Sequence, residues 1–184
     1  FCTMNYTELR QLRAFSWYDG IYLAIIWTVS FGCFLASTWQ LLLGDVSSAI
    51  VLFTPLFVGL RLRQFRDNVW DGIISFKNAF FYCMRMFFNA AWLFSLAQLA
   101  YMVFIDHGKM LRIMNAFSST PEFQEMLHAM EIDQQEFLDS LPDLFQPYPL
   151  VVNCFVNEII FGAAASLVIA AILARNVNTT KQFS

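Results

Sequence analysis

Two ionisable side chains, Arg85 and Glu158, stand inside long apolar runs, and each has an amide nearby: Asn89 one helical turn beyond the arginine, Asn157 beside the glutamate. A charge held where water is scarce costs about 3 kcal/mol on insertion scales and is by default a functional candidate. An arginine and a glutamate flanked by asparagines can compensate each other inside a helix bundle, or can bind and release a proton or ion. Three arrangements are open. The two charges pair in the bundle with the amides filling their remaining hydrogen-bonding capacity, each snorkels alone to its own interface, or they serve transport. No nucleophile elbow, phosphate loop or dinucleotide fingerprint is present, so no catalytic or cofactor-binding residue is assigned, no cofactor is expected, and an enzyme is the least favoured reading. Glu125, His128 and Glu131 recur at three-residue intervals, but that spacing spreads them over a wide arc of a helix. They read as a solvated acidic face rather than as metal ligands.

The elements that must position these groups are membrane spans. Hydrophobic residues make up 58% of the 184-residue chain and charged residues 14%, against about a quarter charged in soluble domains. The fold class expected is all-α membrane protein, a single four-helix transmembrane domain with spans over residues 18–43, 46–63, 75–105 and 150–174, arranged as two hairpins. Twenty apolar residues at 1.5 Å each cross about 30 Å of hydrocarbon. Residues 1–16 suit a short amphipathic helix at the membrane surface. Gly44, Asp45 and the following serines read as a turn with Ser47 as a helix cap. The second run contains Pro55, which admits a re-entrant segment, but the arginines that follow at once favour a full crossing. Cys33, Cys83 and Cys154 fall in apolar runs, where a free thiol acts as a small hydrophobe.

Residues 106–149 differ in character, carrying eight acidic groups against Lys109 and Arg112. Thr120, Pro121 and Glu122 form a helix start, and Phe123, Met126, Leu127 and Met130 follow at three- and four-residue spacing, which gives one apolar face suited to a protein partner. Asp133, with Glu136 three residues on, starts a second short helix that Pro142 ends. Arg10, Arg13, Arg61, Arg63, Arg66, Arg175 and Lys181 all fall on one side of the layout. The positive-inside rule therefore puts both termini in the cytoplasm and the acidic segment outside it. Charge distribution reads topology here and not nucleic-acid binding. Gly162, Ser166, Ala170 and Ala174 make a small-residue ridge on the last span, for packing within the chain or as a homo-oligomer seam. Trp17, Asp19, Gly20 and Ile21 echo Trp70, Asp71, Gly72 and Ile73, the only hint of a repeat.

Arg66, Asp67, Gly72, Ile73, Ile74, Ser75 and Phe76, with Ala79 and Phe80, resemble the central signature of the family called domain of unknown function 4199. Residues Gly162 to Arg175 resemble that family's closing helix. The resemblance runs in order over nearly the whole chain, including the exit from the third span at Phe104 to Asp106. Relatives usually have a proline after that aspartate, where this chain has His107. The family comprises small multi-pass proteins typical of Bacteroidetes. The resemblance implies an inner-membrane location and no known activity, and it carries over no catalytic residue. Together these readings point to an integral inner-membrane protein that works as a non-enzymatic accessory or interaction subunit, with the bilayer and a membrane or periplasmic protein as its partners. The competing reading is a small transporter or channel that uses Arg85 and Glu158.

Overall fold

A computed structural model describes residues 6–37, 40 and 42–175. Lys181 of the charge tally lies outside them. The described chain is helical, in the order α1 (Tyr6–Ala36), α2 (Leu42–Val69), α3 (Phe76–Phe104), α4 (Lys109–Ser118), α5 (Pro121–Ala129), α6 (Gln134–Leu144) and α7 (Pro147–Leu173). Helices α1, α2, α3 and α7 are each long and apolar enough to cross a membrane, and at 27 to 31 residues each exceeds the roughly 20 that hydrocarbon requires. The protein is a multi-pass membrane protein.

Several boundaries differ from expectation. Among the described residues no separate surface helix precedes the first span: the chain from Tyr6 belongs to α1, because Leu12, Ser16, Asp19, Gly20 and Leu23 continue one buried face at three- and four-residue steps. That helix stops at Ala36 rather than at residue 43, and α2 begins at Leu42. Ser47 is therefore not a cap. It lies inside α2, where its hydroxyl and carbonyl both meet the Ser30 hydroxyl of α1 at 3.0 Å. Pro55 sits within a continuous 28-residue helix, so the second apolar run is a crossing helix and not a broken re-entrant one.

The chain forms two compact units, Phe1–Phe94 with Val156–Ser184, and Ser95–Phe155. In the first unit α1 and α2 make a hairpin stitched by Ser30 to Ser47 and by Trp27 Nε1, which donates to Thr54 Oγ1 at 3.1 Å. Leu23, Val58, Leu62, Tyr82, Cys83, Met86 and Ala170 form a core from all four long helices. Close approach to α3 depends on two glycines. A Cβ on Gly20 would lie 2.8 Å from Asn89 Cβ and 3.1 Å from the Met86 carbonyl oxygen, and one on Gly162 would lie 2.8 Å from Phe87 Cβ. The small-residue ridge of α7 is thus used within the chain: Gly162 meets Phe87, Ser166 and Ala170 are fully buried, and Ser166 Oγ donates to the Gly162 carbonyl at 2.6 Å.

In the second unit, α5 and α6 appear where expected and α4 is an addition. Asp106 starts α4: its carboxylate accepts from Met110 N at 2.9 Å and its carbonyl from Lys109 N at 2.9 Å. His107 has φ of 44° and Gly108 of 75°, a left-handed pair that a proline at 107, fixed near −65°, could not form. Thr120 occupies the cap position of α5 and Pro121 its first turn, but the Thr120 hydroxyl donates back to the Phe117 carbonyl. Asp133 does cap α6, accepting from Gln135 N and Glu136 N at 2.8 and 3.0 Å. Pro142 does not end that helix, which runs to Leu144 and closes with Phe145 N on the Leu141 carbonyl at 2.9 Å.

A buried charge network as the candidate functional site

Asp19 is an aspartate 3% exposed, on the face that α1 turns toward α2 and α3. Its Oδ1 accepts from Arg61 Nε of α2 at 2.7 Å and also from Arg61 Nη2, while its Oδ2 accepts from the hydroxyl of Tyr82 in α3. Arg61 Nη1 donates to Gln64 Oε1 one turn on at 3.0 Å, and the guanidinium carbon lies 5.6 Å from the Tyr22 ring centroid. The Tyr82 ring is stacked on Phe65 with centroids 4.7 Å apart, which fixes the hydroxyl over the carboxylate. One acid thereby holds three helices at a single level. With both oxygens engaged by charged and hydroxyl donors, the group stabilises one arrangement of α1, α2 and α3 rather than standing open to a substrate.

A second polar node lies at the same end of the bundle. Arg66 is 3% exposed; its Nε donates to Asp67 Oδ1 at 2.7 Å and its Nη1 to the Leu173 carbonyl at 3.0 Å. That carbonyl is one of the unsatisfied acceptors at the C-terminus of α7, where a cation is also favoured by the helix dipole. Asp71 and Gly72, with φ of 49° and 81°, turn the chain from α2 toward α3. Ile74 and Arg175 then exchange two backbone hydrogen bonds of 3.1 and 2.9 Å. These are the residues of the central signature, and their work is to lock the ends of α2 and α7 to the start of α3. Asp19 and Gly20 are helical and buried whereas Asp71 and Gly72 form a turn, so the two similar tetrapeptides do not play equivalent roles.

The residues singled out from sequence are dispersed. Arg85 is exposed on α3 and Asn157 exposed on α7, Asn89 is buried against α1 beside Gly20, and Glu158 is half-buried. Arg85 and Glu158 do not pair; among the described residues the ion pairs are Arg61–Asp19, Arg63–Asp67 and Arg66–Asp67. Helix register explains this. Gly162 sits opposite Phe87 and Ile74 opposite Arg175, so α3 and α7 are antiparallel with Arg85 level with position 164. Glu158 is then about 9 Å further along the axis at 1.5 Å per residue. Side chains lean toward their own helix N-terminus, which carries these two apart. Among the described residues, Asn89 Nδ2 and Glu158 Oε2 are buried without a hydrogen-bond partner. No three His, Cys, Asp or Glu side chains among the described residues gather as a metal site, and Glu125, His128 and Glu131 are exposed.

The α5 face divides in two. Phe123 and Leu127 are buried, with Phe123 between Phe117 and Phe137 at centroid distances of 5.1 and 5.4 Å, while Met126 and Met130 are 43% and 61% exposed. A family model described as "Protein of unknown function (DUF4199)" matches residues 18–175. No curated protein and no solved structure matches.

Proposed function

We propose, for a chain that belongs to the DUF4199 family of proteins of unknown function, that it is a non-enzymatic accessory subunit of the cytoplasmic membrane. In this reading the bundle anchors the segment between α3 and α7, which docks a protein partner. The observation that carries it is the exposure of Met126 on α5 and of Met130 at its C-terminal cap, beside buried Phe123 and Leu127. Half of that amphipathic face is consumed in the segment's own packing, and the other half presents thioethers, which adapt readily to a partner's surface. Orientation with both termini inside is supported by the contacts that bring Arg61, Arg66 and Arg175 to one end of the bundle.

The test is affinity capture of the tagged full chain from native membranes in mild detergent, with mass spectrometry of what accompanies it. A reproducible partner lost from the Met126→Gln/Met130→Gln double variant supports the reading. Recovery of the chain alone, or a partner indifferent to the double variant, sinks it. A transporter that uses Glu158 draws on one observation, the buried and unpartnered Oε2. The outward position of Arg85 favours the accessory reading over it.

A further inference from the structure

Arg85 stands nine residues into α3, on the exposed side of a helix whose other face is core, among exposed Phe81, Phe88 and Trp92. It makes no ion pair or hydrogen bond among the described residues. An arginine facing lipid at that depth is costly unless an anion meets it. Two turns toward the start of the same helix is Lys77, also exposed and also outside every ion pair. At 100° per residue Lys77, Phe81 and Arg85 fall within an arc of about 80°, and the two cations are about 12 Å apart along the axis. Both converge on the space around Phe81. The Lys77 ammonium lies 6.0 Å from the Phe81 ring centroid, and a helical arginine leans over the turn that precedes it.

Neither carboxylate within the spans near this stripe is available to Arg85. Asp19 is engaged by Arg61 and Tyr82, and Glu158 leans away with its Oε2 sealed. A second copy of this chain therefore offers no carboxylate to Arg85 at that level. What a bilayer always supplies along such a stripe is a phosphodiester at its boundary with acyl chains beneath. We propose that Lys77 and Arg85 bind the headgroup phosphate of an anionic phospholipid, with an acyl chain lying along Phe88 and Trp92. The inference concerns a different face from α5 and stands whether or not a protein partner docks there.

The experiment uses the full chain in nanodiscs of phosphatidylcholine containing a minority of phosphatidylglycerol, with native mass spectrometry counting the phosphatidylglycerol retained. Arg85→Gln and Lys77→Gln are each expected to lower its occupancy about fivefold, the ratio equivalent to the attraction of one basic group for an anionic membrane surface. Arg112→Gln, a control in α4, should leave it unchanged, and inorganic phosphate added to pure phosphatidylcholine discs should not bind in the lipid's place. Removal of a lipid-facing charge leaves the fold intact, so Arg85→Gln should unfold in pure phosphatidylcholine no more readily than the parent. If that variant does not fold, Lys77→Gln carries the same test alone. Equal lipid retention by the parent and both variants overturns the proposal. So does loss of a co-purifying polypeptide from Arg85→Gln with lipid retention unchanged, since that outcome assigns Arg85 to a carboxylate on a partner's helix.

Discussion

Removing Asp19 should cost less than removing the arginine it binds. In Asp19→Ala the Tyr82 hydroxyl, on a residue with no exposed surface, loses its acceptor, and an unsatisfied buried hydroxyl costs about 1–3 kcal/mol. Arg61 also loses its partner, but its side chain is 33% exposed. Water takes over much of that loss, leaving about 1 kcal/mol. The expected sum is about 2–4 kcal/mol. Arg61→Met instead strands a carboxylate only 4% exposed with Tyr82 as its remaining donor, and an uncompensated buried charge costs about 3–5 kcal/mol. The Asp19→Ala/Arg61→Met double variant removes both charges and should cost less than Arg61→Met alone, because no uncompensated buried charge remains. Reversible unfolding in mixed micelles, followed by circular dichroism against mole fraction of denaturing detergent, gives the four stabilities. Strict additivity of the two single effects to within about 0.5 kcal/mol, or a smaller loss for Arg61→Met than for Asp19→Ala, would refute the network as an energetic unit.

Three further outcomes follow from the same geometry. Gly20→Ala should destabilise by about 1–3 kcal/mol, since its Cβ would meet Asn89 and the α3 backbone, whereas Gly32→Ala, with nothing within 4 Å, should be neutral or improve stability by up to about 1 kcal/mol; the same unfolding assay separates them. Asp133→Ala should cost about 1 kcal/mol and speed amide exchange in the first turn of α6, while Thr120→Ala should leave α5 nearly unchanged, because that hydroxyl does not bond into its helix. Arg66→Gln should cost about 1.5–3 kcal/mol by freeing the Leu173 carbonyl. Exchange at the Arg175 amide, which bonds to Ile74, is the local readout.

The four spans were legible because each apolar run exceeds the length that hydrocarbon demands, and that signal needs no knowledge of neighbours. Ends were harder. Ser47 has the residue type of a cap and follows a glycine and an aspartate, yet α2 had already begun at Leu42, and the hydroxyl was used sideways against Ser30. Helix α4 carries apolar residues at helical spacing, but it opens on left-handed Gly108 with no side-chain cap at that position. The acid that does hold its start is Asp106, set back by two residues and outside the usual signature. Pro142 lacks the N–H that would bond the Leu138 carbonyl, but Phe145 N on the Leu141 carbonyl still closes the turn beyond it, so the helix outlasts the proline.

The candidate site failed to be legible for a different reason. In sequence, Arg61 and Arg66 mark one membrane side, a reading that treats each arginine as a charge facing water. A positive-inside signal and a buried pair use the same residue type at the same depth, and what separates them is a complementary acid on another helix at that level. Asp19, at the head of the first span, fell on the same side as Arg61, so the match in depth could be read without coordinates. The match in rotation could not. Asp19 shares the three- and four-residue repeat of Leu12, Ser16 and Leu23, which marks it as inward only once that polar-interrupted repeat is recognised as the buried face. Arg85 shows the converse: depth alone leaves pairing in the bundle and snorkelling outward both open, and its neighbours at four- and three-residue spacing, Phe81 and Phe88, lie on the exposed side of α3. In an apolar helix hydrophobicity no longer distinguishes inside from outside. The small and polar residues do, and Asp19, Ser30, Gly20 and Gly162 carry the information that charged residues carry in a soluble fold.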